Sequence, residues 1–331
     1  MKNAVDKLLD SHAEQDRLSY CLMITRDGEV IYERSCGLED PESGKPLTSR
    51  SSFNLASVTK PFTALCIMQL EAQGLVQYDE DIRTWLQDIP YQGVTVRNLL
   101  THTSGIPEYF EYYRKCFPKD RILRNRDVLD LFSREKPALK FTQGEVYDYC
   151  NTGYVFLALI IEAASGNPLP DYMVQNIITP AGMEDTFPFM FGQAERPGMV
   201  RGFEVTESGL RLRPLDSMDG TFGDGNLYGS VTDLGKWADA LAGGELLELN
   251  RLEEAFIPFI PSGGGGSIYG LGWRINSEEG FAWHTGSWAG SRNYVRFGRG
   301  RGPDVFLLSN SSFEKRDELV DKLNQFLILC K

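Results

Sequence analysis

A serine and a lysine three residues apart, Ser57 and Lys60, constrain this chain more than any other feature of its sequence. Residues at this spacing lie on one face of a helix, so the two side chains are expected to touch. Residues 61–68 contain almost no polar side chain, which predicts a buried helix that begins at the lysine. A serine needs a neighbouring base to become a nucleophile, and a lysine can serve where burial favours its neutral amine.

The spacing alone does not establish this interpretation, because Ser-x-x-Lys also fits a serine N-cap before a surface lysine. A second segment supports it. Tyr149-Cys150-Asn151 stands just before the apolar residues 155–164. The pattern predicts a loop that presents a phenol and an amide at the start of a helix.

A third segment, His284-Thr285-Gly286-Ser287, follows the strand-like residues 280–283. Together the three segments resemble the serine β-lactamase and penicillin-binding protein superfamily. The resemblance is to its Tyr-x-Asn branch of AmpC-type β-lactamases, D-alanyl carboxypeptidases, D-aminopeptidases and lactamase-like esterases. It implies a serine hydrolase that acts on ester or amide bonds through an acyl-enzyme.

The resemblance extends over most of the chain, because residues 99–106 and 223–234 are also similar to segments of that branch. One departure matters: the third segment begins with His284, whereas the Lys-Thr-Gly form of the signature begins with a permanent cation. A histidine is only partly charged at pH 7, so strict recognition of a substrate carboxylate is not predicted. This favours an esterase or peptidase that hydrolyses small activated esters faster than penicillins, and it leaves room for weak β-lactamase activity.

The resemblance also implies roles for the catalytic residues. Ser57 attacks the carbonyl carbon and becomes acylated. Lys60 is the expected base, and the Tyr149 phenol shares or relays the proton; which of the two is the general base stays open. A relative that acylates without efficient turnover, a penicillin- or peptide-binding protein, is the alternative.

The residues expected to bind the substrate or the oxyanion are Asn151, His284, Thr285, Gly286 and Ser287. Asn151 is expected to hold Lys60 and a substrate amide. The backbone N–H groups of Ser57 and Ser287 are expected to hold the oxyanion. For the lining of the cleft we expect Glu108, Tyr109, Tyr112, Trp288 and Arg292.

Other catalytic arrangements fit the sequence less well. A Ser-His-Asp hydrolase would use His102 or His284, but the chain contains no Gly-x-Ser-x-Gly segment. We expect His102 to bond the backbone instead, and we do not expect Glu162 to act as a base for deacylation. The chain has three histidines, His12, His102 and His284, and they show no metal-ligand spacing. Neither a metal nor a cofactor is therefore predicted.

Composition and charge limit the partners to small molecules. The 331 residues, with 42% hydrophobic and 11% aromatic content, predict one compact unit. A net charge of −12 excludes a typical nucleic-acid binder. No apolar stretch resembles a membrane span or a signal peptide, so a cytoplasmic location is expected. The sequence does not fix the oligomeric state.

The predicted fold class is α+β, as the resemblance to β-lactamases and transpeptidases implies. A hairpin at 20–25 and 30–35, with late strands at 269–275, 281–284, 294–297 and 305–309, forms an antiparallel sheet. An N-terminal helix and a helix over 316–329 flank it. We expect a single catalytic domain over 1–331, with an α/β subdomain from 1–56 and 221–331 and a helical subdomain over 57–220.

The six cysteines, at 21, 36, 66, 116, 150 and 330, match neither a Cys-x-x-Cys nor a zinc spacing. If Asp27-Gly28 forms a two-residue hairpin turn, Cys21 lies opposite Arg34 and not opposite Cys36. Free thiols are therefore predicted, which fits a reducing compartment. Cys150 belongs near the cleft but is not the expected nucleophile.

Overall fold

A computed structural model describes residues 2–16, 18–118, 121–260, 262–263 and 269–329. Its α-helices are α1 (Lys2–Asp16), α2 (Thr59–Ala72), α3 (Val96–Leu100), α4 (Tyr109–Cys116), α5 (Asn125–Glu135), α6 (Asn151–Ser165), α7 (Leu169–Met173), α8 (Val231–Ala242), α9 (Leu249–Leu252) and α10 (Arg316–Leu329). Its strands are β1 (Tyr20–Arg26), β2 (Glu29–Cys36), β3 (Leu38–Asp40), β4 (Lys45–Pro46), β5 (Phe53–Asn54), β6 (Phe187–Pro188), β7 (Phe203–Thr206), β8 (Gly209–Leu212), β9 (Leu227–Gly229), β10 (Arg274–Asn276), β11 (Phe281–Trp288), β12 (Ser291–Phe297) and β13 (Asp304–Ser309).

The main sheet is antiparallel and is built from both ends of the chain, in the order β10-β11-β12-β13-β1-β2. Strand β1 lies inside it, and successive side chains of a strand point to opposite faces. Leu22 packs with Val5 of α1 and Leu323 of α10, while Met23 belongs to the larger core shared with the helices. The predicted α+β class, with terminal helices flanking an antiparallel sheet, is confirmed.

The β1–β2 hairpin contains a bulge that the sequence analysis missed. Thr25 pairs with Val30, but Ile24 pairs with Tyr32, so one extra residue is inserted in β2. Cys21 consequently lies opposite Ser35, and the predicted partner Arg34 was wrong. Bulges of this kind leave no clear composition signal in a short hairpin.

Within the described part of the chain the cysteines form no disulfide. Cys21, Cys36, Cys66 and Cys150 carry free thiols, as predicted. The side chain of residue 116 and the whole of residue 330 lie outside the described residues.

Between the two halves of the sheet the chain is mostly helical, and α2 packs against α6 in the core. The segment 57–220 also contributes strands: β6 joins β5 and β9 in a small sheet, and β7 pairs with β8. Strand β5 ends at Asn54, three residues before Ser57, so this small sheet anchors the approach to α2. The division into subdomains stays a prediction.

The late strands start and end differently from the expectation. Residues 269–275 were predicted as one strand, but β10 begins only at Arg274, and Tyr269 forms an isolated bridge with it. Strand β11 runs on past His284 to Trp288. The third segment therefore lies inside a strand, where alternate side chains face opposite ways.

Candidate active site

Ser57 lies in a single 3₁₀ turn, Ala56–Val58, that leads directly into α2. The turn is held by Asn54, whose Oδ1 accepts the N–H of Ala56 at 2.8 Å. Ala56 has a φ of 50°, in the left-handed region that residues with a side chain seldom adopt. Strained backbone of this kind persists only where the surroundings hold it, and here it fixes the position of the next residue, Ser57.

Lys60 is fully buried and its amine contacts three oxygens. Nζ lies 3.0 Å from Ser57 Oγ, and it donates to Asn151 Oδ1 at 2.8 Å and to the backbone carbonyl of Asp224 at 2.9 Å. The structure thus brings together Ser57, Lys60 and Asn151, which the sequence analysis placed in one site. The Asp224 carbonyl was not expected.

Glu108 fixes the orientation of the Asn151 side chain. Asn151 is the first residue of α6, and its backbone N–H and Nδ2 both donate to Glu108 Oε1, at 2.6 and 2.9 Å. The amide oxygen of Asn151 is thereby turned toward Lys60. Burial raises the pKa of Glu108 to about 7, although the Asn151 N–H opposes the rise. Glu108 Oε2 is buried and has no partner in the described residues.

Tyr149 lies between the lysine and a histidine. Lys60 Nζ is 5.0 Å from the centroid of its ring, and the His102 ring packs against it at 4.2 Å. His102 Nδ1 accepts the backbone N–H of Cys150 at 3.1 Å, so the predicted backbone bond is confirmed. Burial, and then the charge of Lys60, keep the pKa of His102 well below its usual range. His102 is a neutral support for Tyr149.

Cys150 is buried beside this group, as expected from its position. Its Sγ donates to the carbonyl of Ile106 at 3.1 Å, and burial raises the thiol pKa to about 12. A thiol with this pKa is not a thiolate at neutral pH, which agrees with the expectation that Cys150 is not the nucleophile.

His284 is not among the residues that line the cavity in front of Ser57, and its expected role in substrate binding stays a prediction. Its ring is buried; Nδ1 lies 2.7 Å from the carbonyl oxygen of Thr285, and Nε2 lies 2.9 Å from the hydroxyl of Tyr269. Since a carbonyl only accepts, Nδ1–H donates and Nε2 accepts from the tyrosine. Burial, followed by the charges of Lys60 and Arg274, lowers the pKa of His284 well below its usual range. The expected partial charge at pH 7 is therefore absent.

Two other residues of the third segment line the cavity, and Gly286 packs behind them. Thr285 and Ser287 line the cavity in front of Ser57, on the face of the strand opposite to His284 and Gly286. A Cβ at Gly286 would lie 2.2 Å from the carbonyl oxygen of Leu55, so only glycine lets the strand pack this closely on the turn before Ser57.

Arg274 places a cation in the wall of the cavity, where the sequence analysis named no cation. It lines the cavity, and its guanidinium lies 5.6 Å from the ring centroid of Tyr149 and 5.3 Å from that of Trp283. Its buried Nε has no hydrogen-bond partner among the residues described. Nothing in the sequence marked it, because residues 269–275 were predicted as one strand and β10 begins only at Arg274.

The cavity in front of Ser57 measures about 340 Å³. It is lined by Asn54, Ala56, Ser57, Tyr109, Phe110, Tyr149, Asn151, Met218, Asp219, Thr221, Asp224, Gly225, Asn226, Arg274, Thr285, Ser287 and Trp288. Of the expected lining residues, Tyr109 and Trp288 take part. Glu108, Tyr112 and Arg292 do not.

Two carboxylates of the cavity wall were missed from the sequence. Burial raises the pKa of Asp219 to about 6 and raises that of Asp224 as well. Asp219 accepts from the indole nitrogen of Trp288, and Asp224 accepts from the Tyr109 hydroxyl at 3.1 Å. Because both carboxylates accept hydrogen bonds from neighbouring side chains, they hold the wall of the cavity in shape. Glu162 lies elsewhere and accepts the N–H of Leu169.

The described residues offer neither a metal-binding cluster nor a membrane-spanning helix. In the described ranges no group of three or more His, Cys, Asp or Glu residues is arranged to hold a metal ion. A helix long and apolar enough to cross the bilayer does not occur in the part of the chain that the structure covers.

Comparison with known proteins supports one family. The Beta-lactamase family model matches residues 2–329. The chain is 30% identical to penicillin-binding protein 4* of Bacillus subtilis (strain 168), over 97% of this chain and 74% of that protein. It is 28% identical to esterase EstB of Burkholderia gladioli, over 94% and 90%. An octameric penicillin-binding protein homologue from Pyrococcus abyssi matches with a TM-score of 0.85 and 26% identity, over 98% of this chain and 77% of that one.

Proposed function

Because this chain belongs to the Beta-lactamase family, we propose that Ser57 is the acylated nucleophile of a serine hydrolase that cleaves small esters or amides. The family relationship makes the protein a serine hydrolase that works through an acyl-enzyme. The roles of its residues and the nature of its substrate are our proposal.

The observation that carries the proposal is the set of oxygens around Lys60 Nζ. Asn151 Oδ1 and the Asp224 carbonyl can only accept hydrogen bonds, at 2.8 and 2.9 Å. A neutral amine has two hydrogens and one lone pair. The three hydrogens of the charged amine match the three oxygens. Once the amine has lost one proton and its other two hydrogens stay on these two acceptors, the lone pair faces Ser57 Oγ, 3.0 Å away. This arrangement suits a lysine that takes the serine proton.

In the proposed reaction the Ser57 proton passes to Lys60 while Oγ bonds to the substrate carbonyl carbon. The backbone N–H groups of Ser57 and Ser287 hold the oxyanion, and each such donor is typically worth about 3 kcal/mol. The bond to the leaving group then breaks, and the leaving group takes a proton through Tyr149. Water attacks the acyl-enzyme by the reverse route and restores Ser57.

The presence of Arg274 in the cavity wall widens the proposed range of substrates. The basis for discounting carboxylate-bearing substrates was a weakly charged His284, but Arg274 lines the cavity instead. We propose neutral esters and amides, together with short acyl peptides whose carboxylate can bind Arg274. Penicillin-binding protein 4* and esterase EstB, the relatives named above, are consistent with both kinds of substrate.

The cytoplasmic location predicted from the sequence stays a prediction. It is compatible with the four free thiols of Cys21, Cys36, Cys66 and Cys150.

Intact-mass measurement tests the function directly. The protein is mixed separately with p-nitrophenyl acetate, a penicillin and a D-alanyl-D-alanine peptide, and both adduct and product are followed. A transient adduct with product identifies the hydrolysed class, while a persistent adduct identifies a binding protein that acylates without turnover. Ser57→Ala should abolish every adduct and lower the rate by about a thousandfold or more. A fluorophosphonate label on any peptide that lacks Ser57 would refute the assignment.

A further inference from the structure

A second cavity, of about 410 Å³, adjoins the catalytic one. The two share Asn54, which lines both. The walls of the second cavity come from the chain after β6, from the end of β8, from β9 and from the turn between β11 and β12. Its size is that of a small-molecule site, for which 300–1,000 Å³ is usual.

The walls of this second cavity are largely apolar. Phe189 and Tyr228 are buried in a small aromatic cluster, against which Met199 and Leu215 pack. Leu212, which also lines it, remains 39% exposed. Large apolar side chains that stay partly exposed around a cavity favour an apolar ligand, because its binding removes their surface from water.

The two arginines that line the second cavity do not require an anionic ligand. Arg201 pairs with Glu195 at 3.3 Å. Arg213 lies 3.8 Å from Glu204, whose carboxylate also pairs with Arg211, but the Arg213 side chain is 53% exposed, so water solvates its charge. The cavity therefore suits a neutral molecule.

Buried polar groups mark one end of the site. Asn54 Oδ1 accepts the Ala56 N–H, and the Asn54 side chain also bonds that of Tyr228. Tyr228 lines the same wall, and burial raises its pKa, which keeps its hydroxyl protonated. A ligand oxygen that accepts from the Tyr228 hydroxyl would be bound favourably, because a buried donor needs an acceptor.

We propose that the second cavity binds a neutral, mainly apolar group that carries one hydrogen-bond acceptor. Two sources share this chemistry: the distal end of an acyl substrate bound at Ser57, or a separate small molecule. In either case Asn54 links the site to catalysis, because the same side chain holds the Ala56 turn next to Ser57. Only the substrate source rests on the function proposed above.

Binding is tested with the full-length Ser57→Ala protein, which separates this site from the proposed activity. The probe is 6-propionyl-2-(dimethylamino)naphthalene, a neutral fluorophore with one ketone oxygen. We expect saturable one-site binding with blue-shifted emission. Met199→Trp, which fills the cavity, should weaken binding at least about tenfold. Leu249→Trp is the matched control, since Leu249 is 51% exposed on α9 and does not line the cavity, and it should bind normally.

Leu212→Asp provides a second variant in case Met199→Trp fails to fold, because Leu212 is already partly exposed. Thermal unfolding of each variant verifies its fold. The proposal is overturned if the probe shows no saturable binding, or if both folded variants bind it as tightly as the parent protein.

The active protein distinguishes the two sources. If the acyl end of a substrate enters the cavity, Met199→Trp raises KM for p-nitrophenyl octanoate but not for the acetate, and the probe competes with the octanoate. If a separate molecule binds, the probe changes kcat for both esters by the same factor and does not compete with either.

Discussion

Replacement of Glu108 tests the chain of contacts that orients the catalytic lysine. One carboxylate oxygen, Oε1, accepts both the backbone N–H and Nδ2 of Asn151, and Asn151 Oδ1 accepts from Lys60. With leucine at position 108 the amide can rotate by half a turn. Nδ2 would then face Lys60 Nζ, donor against donor, and the lysine would lose one of its two carbonyl acceptors.

The expected magnitude follows from that single lost hydrogen bond. A bond of this kind is worth about 1.5 kcal/mol, which corresponds to about tenfold in rate. Glu108→Leu should therefore lower kcat for p-nitrophenyl acetate by about tenfold with little change in KM. The burst of acylation should slow by a similar factor, because Lys60 serves both steps.

Glu108→Gln is the matched control for this experiment. Glutamine keeps a carbonyl oxygen that can accept both bonds from Asn151, and it removes the charge. It should retain activity within about threefold of the parent protein, since the acceptor rather than the charge holds the amide. If the glutamine variant loses as much activity as the leucine variant, the charge matters and the reasoning is wrong. A fully active leucine variant would show that the amide is held by other contacts.

Four further outcomes are expected. The carboxyl of Glu108 has a pKa of about 7 in the fold against an ordinary 4.5; its contribution to stability is present at low pH and is lost as the pH rises through 7. At pH 8 the free energy of unfolding of Glu108→Gln should therefore exceed that of the parent protein by up to about 3 kcal/mol, seen as a higher unfolding temperature. Near pH 4 the two proteins should be equally stable. Arg274→Ala should raise KM for a p-nitrophenyl ester that carries a carboxylate by about tenfold relative to a neutral ester, measured as a ratio of kcat/KM; equal loss for both would remove its assigned role. His284→Lys should lower the free energy of unfolding in a urea titration by about 2–4 kcal/mol, because it buries a cation, and should not improve carboxylate-bearing substrates. Alanine at Lys60 and phenylalanine at Tyr149 should each cost about 100-fold or more, with a double variant little worse than the poorer single one; additive losses would show independent action.

Local geometry explains part of what could be predicted of the site. Ser57 and Lys60 meet because the chain is helical between them, so their contact follows from spacing alone. Asn151 is presented because a helix begins there, but its contact with Lys60 joins residues 91 positions apart and was expected only from the family resemblance. The roles of these residues stay predictions.

The parts that the sequence missed depend on distant segments. Arg274 enters the cavity only because β10 pairs with β11, and the carbonyl of Asp224 reaches Lys60 across the core. His284 lies on the face of β11 opposite to Thr285 and Ser287, because the strand continues through the motif and alternate side chains point to opposite faces. The one-residue bulge in β2, which changed the register of the first hairpin, also had no recognisable sequence pattern.

The assembly of the main sheet from both chain ends has a consequence for biosynthesis. Strand β1 leaves the ribosome long before its partner β13, because Ser19 N–H bonds Ser311 Oγ across 292 residues of chain. Contacts this far apart close slowly, and until they close one long edge of β1 stays unpaired. The strand that carries Thr285 and Ser287 joins the sheet through the same late partners. A nascent or truncated chain should therefore lack the assembled pocket, and it should depend on chaperones to keep that open edge from pairing with other chains.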